Sequence, residues 1–143
     1  MGMTDDGSNR GFRMDRPFGW GILLIGDSAS HDVPATESGV VVVATRTVVA
    51  VGVRHAQDVD FEPADEEQEG PQFSVTVEVR LGQVAETAAH FDGVIEVPSG
   101  RITVGDADRD ESLSVTPGRW RMQLALTPED QPEQVDVWIT NAP

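Results

Sequence analysis

Residues 58 to 70 read DVDFEPADEEQEG, and the carboxylates of Asp58, Asp60, Glu62, Asp65, Glu66, Glu67 and Glu69 follow one another without a single base. Acids at this density have three uses. They can stay solvated, their mutual repulsion holding a loop extended. They can form a patch that steers and holds a basic protein. They can also surround a hard cation, which wants several oxygens at once. A second group, Asp106, Asp108 and Asp110 in GDADRDESL, has the alternate spacing with which calcium loops begin. The rest of that pattern is missing. The sixth position, where the sharp turn needs glycine, is Glu111, and the twelfth, where a bidentate glutamate belongs, is Pro117. A polar hairpin turn, a calcium site and a partner contact all remain open for these three residues.

Other reactive side chains are sparse. His31, His55 and His90 stand far apart, and none has a second histidine at the HxH or HxxxH spacing of a metal site. Ser28 and Ser30 lie in GDSAS, which lacks the glycines of a nucleophile elbow. Gly19 and Gly21 alternate within an apolar run and open no phosphate-binding helix. With no cysteine there is no disulfide, no thiol nucleophile and no cysteine-held zinc. No constellation makes the case for an enzyme or a cofactor. The reading is a non-enzymatic acidic binding protein, with a calcium-binding or structural β-module as the alternative.

Charge narrows the partners. The chain carries 25 acids against 10 bases, a formal charge of −15, and every base is arginine. Such a field repels nucleic acid and anionic membranes and draws basic surfaces. Direct nucleic-acid binding is therefore the first function class to go, and a basic protein is the expected partner. The start, MGMTDDGSNRGF, has no basic stretch leading into an apolar one, and the apolar runs near 18–25 and 40–53 are too short or too interrupted to span a bilayer. The expectation is a soluble cytoplasmic protein without a membrane partner.

The elements that must position these groups are strands. Phe73, Val75, Val77, Val79 and Leu81 alternate with polar residues, as do Trp120, Met122, Leu124 and Leu126, and Val135, Val137 and Ile139. Period two with β-branched residues is the mark of a half-buried strand. FGWGILLIGD and VVVVATRTVVAVGVR are more continuously apolar, which suits strands covered on both faces; the second breaks near Thr45–Thr47 into 40–44 and 47–54. Short strands at 94–97, 101–104 and 113–115 are separated by Pro98–Gly100, Gly105–Asp110 and Thr116–Gly118. GQVAETAAH has room for one helical turn. The sum is an all-β, single-domain antiparallel β-sandwich or flattened barrel of about eight strands. Residues 1–12 form an unstructured tail, 13–143 the domain, and about 55–72 its acidic loop. Trp138 shares the outward face of the last strand with Asp136 and Thr140, which makes it a candidate partner anchor.

ESLSVTPGRWRMQLAL followed by a polar loop and VDVWIT carries Leu113, Val115, Pro117, Gly118, Trp120, Met122 and Leu124, then Val135, Val137 and Trp138. This layout resembles the competence protein J family and related acidic bacterial β-proteins, most clearly over 94–140. The resemblance implies a β-sandwich and an inhibitor that binds a nuclease. On that implication the acids of 58–69 would occupy a basic, DNA-binding cleft in place of phosphates.

Overall fold

The computed structural model describes residues 10–19, 21–32, 34, 41–54, 74–85, 89–106 and 110–142. The acidic segment 58–69, His55, Phe73 and Asp108 lie outside these residues.

Alternation builds the strands. β5 (Ser74–Leu81) buries Val75, Val77, Val79 and Leu81 and turns Thr76, Glu78 and Arg80 outward. β9 (Gly118–Thr127) and β10 (Gln134–Asn141) repeat the device with Trp120, Met122, Leu124 and Leu126 and with Val135, Val137 and Ile139. β1 (Arg10–Pro17) and β6 (Phe91–Val97) complete a first sheet ordered β1-β5-β10-β9-β6. Its neighbours are antiparallel except β5 and β10, which run parallel. The second sheet is ordered β3-β4-β2-β7-β8, from β2 (Ile22–Asp27), β3 (Val42–Ala44), β4 (Val48–Gly52), β7 (Arg101–Gly105) and β8 (Asp110–Ser114). Between the sheets lies one core that includes Leu23, Ile25, Val49, Val51, Ile102 and Val104 from the second sheet. Each fully buried aliphatic side chain there contributes roughly 1.5–3 kcal/mol relative to exposure.

The chain changes sheets between β6 and β7 at Pro98–Gly100. Asp27, 5% exposed, fixes that corner by accepting the Ser99 N–H at 3.0 Å and its hydroxyl at 2.6 Å. Gly100 sits at φ +76°, a left-handed conformation open to glycine, with the Val115 carbonyl close beside it.

Three features differ from the sequence reading. The described residues form ten strands, and the additional one at the front, β1, starts at Arg10, inside the stretch read as an unstructured tail. Phe12 and Met14 pack on the core, but the next residue on that inner face is Arg16, and a charge in an apolar position hid the alternation. Gln123, expected in solvent, is on the outer face yet only 7% exposed. The chain leaving β5 crosses over it, and the Ala85 N–H donates to its Oε1 at 3.1 Å. The helical turn read in GQVAETAAH falls partly on 86–88, outside the described residues; 82–85 and 89–90 carry no helix. No helix among the described residues is long and apolar enough to cross a membrane.

Candidate interaction surface

Most of the described arginines are held by acids of the same chain. Arg13 reaches Asp15 at 3.2 Å, Arg54 reaches Glu133 at 2.8 Å and Arg80 reaches Asp136 at 3.1 Å. Arg121 grips Asp92 through two bonds, Nε to Oδ1 at 2.9 Å and Nη2 to Oδ2 at 2.6 Å. Arg46 lies 3.7 Å from Glu96, and Arg16 is buried against Asp106 at 3.0 Å. Exposed pairs of this kind add only about 0–1 kcal/mol each to stability. Their larger effect is on the field: once these cations are spent locally, what a partner meets is the surplus of carboxylates.

Hydrogen bonds keep several carboxylates ionised well into acid. The Arg121 guanidinium bonded to Asp92 holds its carboxyl below the ordinary value. The Thr76 hydroxyl does the same for Asp15, helped by Arg13, and the hydroxyls of Thr47 and Thr45 do so for Asp32. A carboxylate that accepts such bonds is stabilised in its charged form.

The acidic segment 58–69 falls in the sequence between β4 and β5, outside the described residues, and the described chain on either side, at Arg54 and Thr76, meets Glu133. Arg54, just past β4, bonds the Glu133 carboxylate at 2.8 Å and its own N–H donates to the Pro132 carbonyl at 2.9 Å. Thr76, near the start of β5, donates its N–H to the Glu133 carbonyl at 2.9 Å. Glu133 belongs to the β9–β10 loop, which also carries the exposed Glu129 and Asp130. Glu133 thus ties the end of β4 to the start of β5.

A search of solved structures finds an inhibitor from Bacillus subtilis, ComJ, described as acting on the DNA-degrading activity of NucA. The two align over 94% of this chain and 98% of that one, with a TM-score of 0.58 and 7% sequence identity. The chain has the fold of ComJ. A second structure, crocagin biosynthetic gene J, covers 93% of this chain and 96% of its own at 16% identity, with a TM-score of 0.49. No protein-family model matches the sequence, and neither does any curated protein.

The likeness to ComJ places the resemblance read from 94–140 on the scaffold. Leu113, Trp120, Met122, Leu124, Val135 and Val137 are core residues. The Trp120 indole N–H is tied to the Thr116 carbonyl at 2.9 Å, and Gly118 sits at φ +147°. These positions specify strands and a turn, so what they carry is fold.

The remaining residues singled out in the sequence fall in separate places. Trp138 is on the outer face of the first sheet, half-buried, with the Arg80 guanidinium 5.1 Å from its ring. Asp106, its side chain 4% exposed, is engaged by Arg16, while Asp110 is exposed at the start of β8. His31 is exposed after β2, and His90 accepts the Leu126 N–H through Nδ1 at 2.9 Å, with Nε2 3.9 Å from Glu129. Among the described residues no group of three or more metal-ligating side chains comes together. A cleft of about 210 Å³ beside β1, lined by Arg13, Met14, Asp15, Arg16 and Glu111, presents charges of both signs and no nucleophile paired with a base. Sequence reasoning missed Glu133 as the residue that joins the end of β4 to the start of β5; one of three acids in TPEDQPEQ, it is indistinguishable from the other two until β9 and β10 are paired.

Proposed function

We propose that this protein is a non-enzymatic acidic binding protein that binds and inhibits a basic protein partner, a nuclease being the partner class. The observation that carries the reading is the charge on this fold: a formal −15, with seven of the 25 acids gathered in the sequence 58–69, on a scaffold with the fold of ComJ. Long-range attraction brings a basic active-site cleft to the protein, and the carboxylates of 58–69 then stand where substrate phosphates would. Trp138, with Arg80 stacked on it, supplies an amphipathic contact on the adjoining sheet face.

The test is capture from host lysate at low and moderate salt, with DNA-degrading activity measured on the captured fraction. Wild-type protein is expected to retain and silence a nuclease. A variant with Asp65→Asn, Glu66→Gln, Glu67→Gln and Glu69→Gln is expected to lose both effects. Equal capture and equal inhibition by the two proteins would move the binding surface away from the segment.

A further inference from the structure

The order β1-β5-β10-β9-β6 obliges the chain leaving β5 to cross β10 and β9 before it enters β6. Near the start of that crossing, the Gly82 N–H donates to the Ile139 carbonyl at 2.8 Å and the Ala85 N–H to the Gln123 side chain at 3.1 Å. At its finish stands His90. The His90 N–H donates to the Leu124 carbonyl at 2.8 Å, and its Nδ1 accepts the Leu126 N–H at 2.9 Å. Pairing of β6 with β9 begins at Phe91 opposite Leu124, so Leu126 lies just past the end of the ladder. A ring nitrogen takes the place there that a strand carbonyl would otherwise fill.

That bond holds in one protonation state only. A neutral imidazole has one nitrogen with a hydrogen and one without, whereas the imidazolium donates from both. Nδ1 therefore accepts from Leu126 while the ring is neutral, with its hydrogen on Nε2. A further proton sets two N–H groups against each other, and the contact must open. Histidine is the side chain whose charge ordinarily changes between about pH 5 and pH 8. Water and protons reach this one, which is 35% exposed.

The charged groups around the ring decide where it goes. From the β9–β10 loop, Glu129 Oε1 lies 3.9 Å from Nε2, near enough to attract but too far for a hydrogen bond. β9 presents Leu124 and Leu126, which carry no charge. On β6 the next acid, Asp92, is gripped twice by Arg121. Among the described residues the imidazolium thus has one carboxylate at ion-pair distance, on a different element from the amide that the neutral ring holds.

We propose that His90 is a proton-operated clasp at the entry to β6. Neutral, it fastens the crossing chain to β9 through Leu126; protonated, it releases Leu126 and closes on Glu129. The proton is the only ligand required, and the clasp does not depend on the identity of any partner.

Nuclear magnetic resonance of the full chain, titrated from pH 8 to pH 5, reads both settings. Ring nitrogen shifts should show Nδ1 without a hydrogen at pH 8, and the Leu126 amide should move with the midpoint of the ring. Exchange of that amide, corrected for the intrinsic effect of pH, should be about tenfold faster in the protonated setting, the loss of one hydrogen bond. The Val135 and Val137 amides of β10 should not follow. His90→Asn puts a carbonyl oxygen that cannot titrate where Nδ1 stands, and its Leu126 amide should stay fixed across the range. Glu129→Gln takes away the attracting charge and should move the midpoint to lower pH. A ring that stays neutral to pH 5, a Leu126 amide that ignores the ring, or an equal response in His90→Asn overturns the proposal. So does loosening spread evenly over β10, the mark of acid unfolding. An unmoved midpoint in Glu129→Gln overturns the second setting.

Discussion

Asp106→Ala should be among the most damaging single changes in this protein. The Arg16 and Asp106 side chains are 13% and 4% exposed, and one bond of 3.0 Å joins them. Arg16 also lies over the Phe18 ring at 4.4 Å, and its Nη1 is buried with no hydrogen-bond partner among the described residues. Removing the carboxylate strands a guanidinium that water reaches poorly, and breaking a buried pair from one side costs about 3–5 kcal/mol. The residual exposure of Arg16 lets it relax a little, so about 3 kcal/mol is the working value. At roughly 3 °C per kcal/mol for a domain of this size, the melting temperature should fall by about 10 °C. The pair is single-bonded rather than forked, so its attraction offsets desolvation only in part. The double substitution Arg16→Met with Asp106→Leu should consequently cost less than about 1 kcal/mol, or stabilise. Urea unfolding of the four proteins of this cycle measures both numbers. A single change costing under about 1 kcal/mol, or a double change as harmful as the single, would refute the account of a strained, buried charge.

Other expectations concern separate parts of the molecule. Leu124→Ala, at a fully buried site facing both neighbours of β9, should cost about 2–5 kcal/mol in urea without a change in slope. Gly11→Ala should destabilise measurably although the residue is exposed, because a Cβ there would land on the Val79 carbonyl and push β1 off β5; native-state exchange of the β1 amides reads this directly. Asp15, Asp32 and Asp92 have carboxyls lowered by their bonds in the fold. The unfolded chain therefore binds more protons, and their contribution is complete above about pH 4 and drains away as pH falls through the lower folded values. Unfolding followed from pH 7 to pH 2 should show that acid limb, and Thr47→Ala should shrink it (a limb untouched by the substitution would contradict the role of the hydroxyl). Millimolar calcium should leave the melting temperature unmoved, since Asp106 already holds a cation of its own; a saturable rise would show the ion competing successfully with Arg16.

The strands legible in the sequence were those in which one face is apolar throughout. β5, β9 and β10 lie at the centre of the first sheet, packed on one side only, and their alternation passes unchanged into the burial pattern. β4 was legible for the opposite reason, its nearly continuous apolar run being buried on both faces; β2 was read the same way, but its Leu24 is exposed and only the face with Leu23 and Ile25 enters the core. β1 failed because Arg16 occupies an inward position, where a tertiary partner ninety residues away satisfies it. The parallel pairing of β5 with β10 was equally invisible, since nothing local distinguishes a strand's parallel neighbour from an antiparallel one. The acidic segment was plain as composition, but the meeting of Arg54 and Thr76 at Glu133 follows from pairings over long range. The exposed edge of β6 is a property of sheet order, and a sequence does not print sheet order.

The place of β10 has a consequence for how the chain is made. Strand 134–141 sits third in its five-stranded sheet, between β5 and β9. Until it is synthesised, β1 with β5 and β9 with β6 can form only two separate ribbons, each with a bare hydrophobic flank. Over the last stretch of its synthesis, once β9 is made and before β10 is, each nascent copy is thus a pair of unfinished half-sheets, the species most prone to stick to its neighbours. The carboxylates of 58–69 emerge well before that vulnerable interval ends. Their repulsion between copies acts then, before any partner is met, as a spacer that keeps half-built molecules apart.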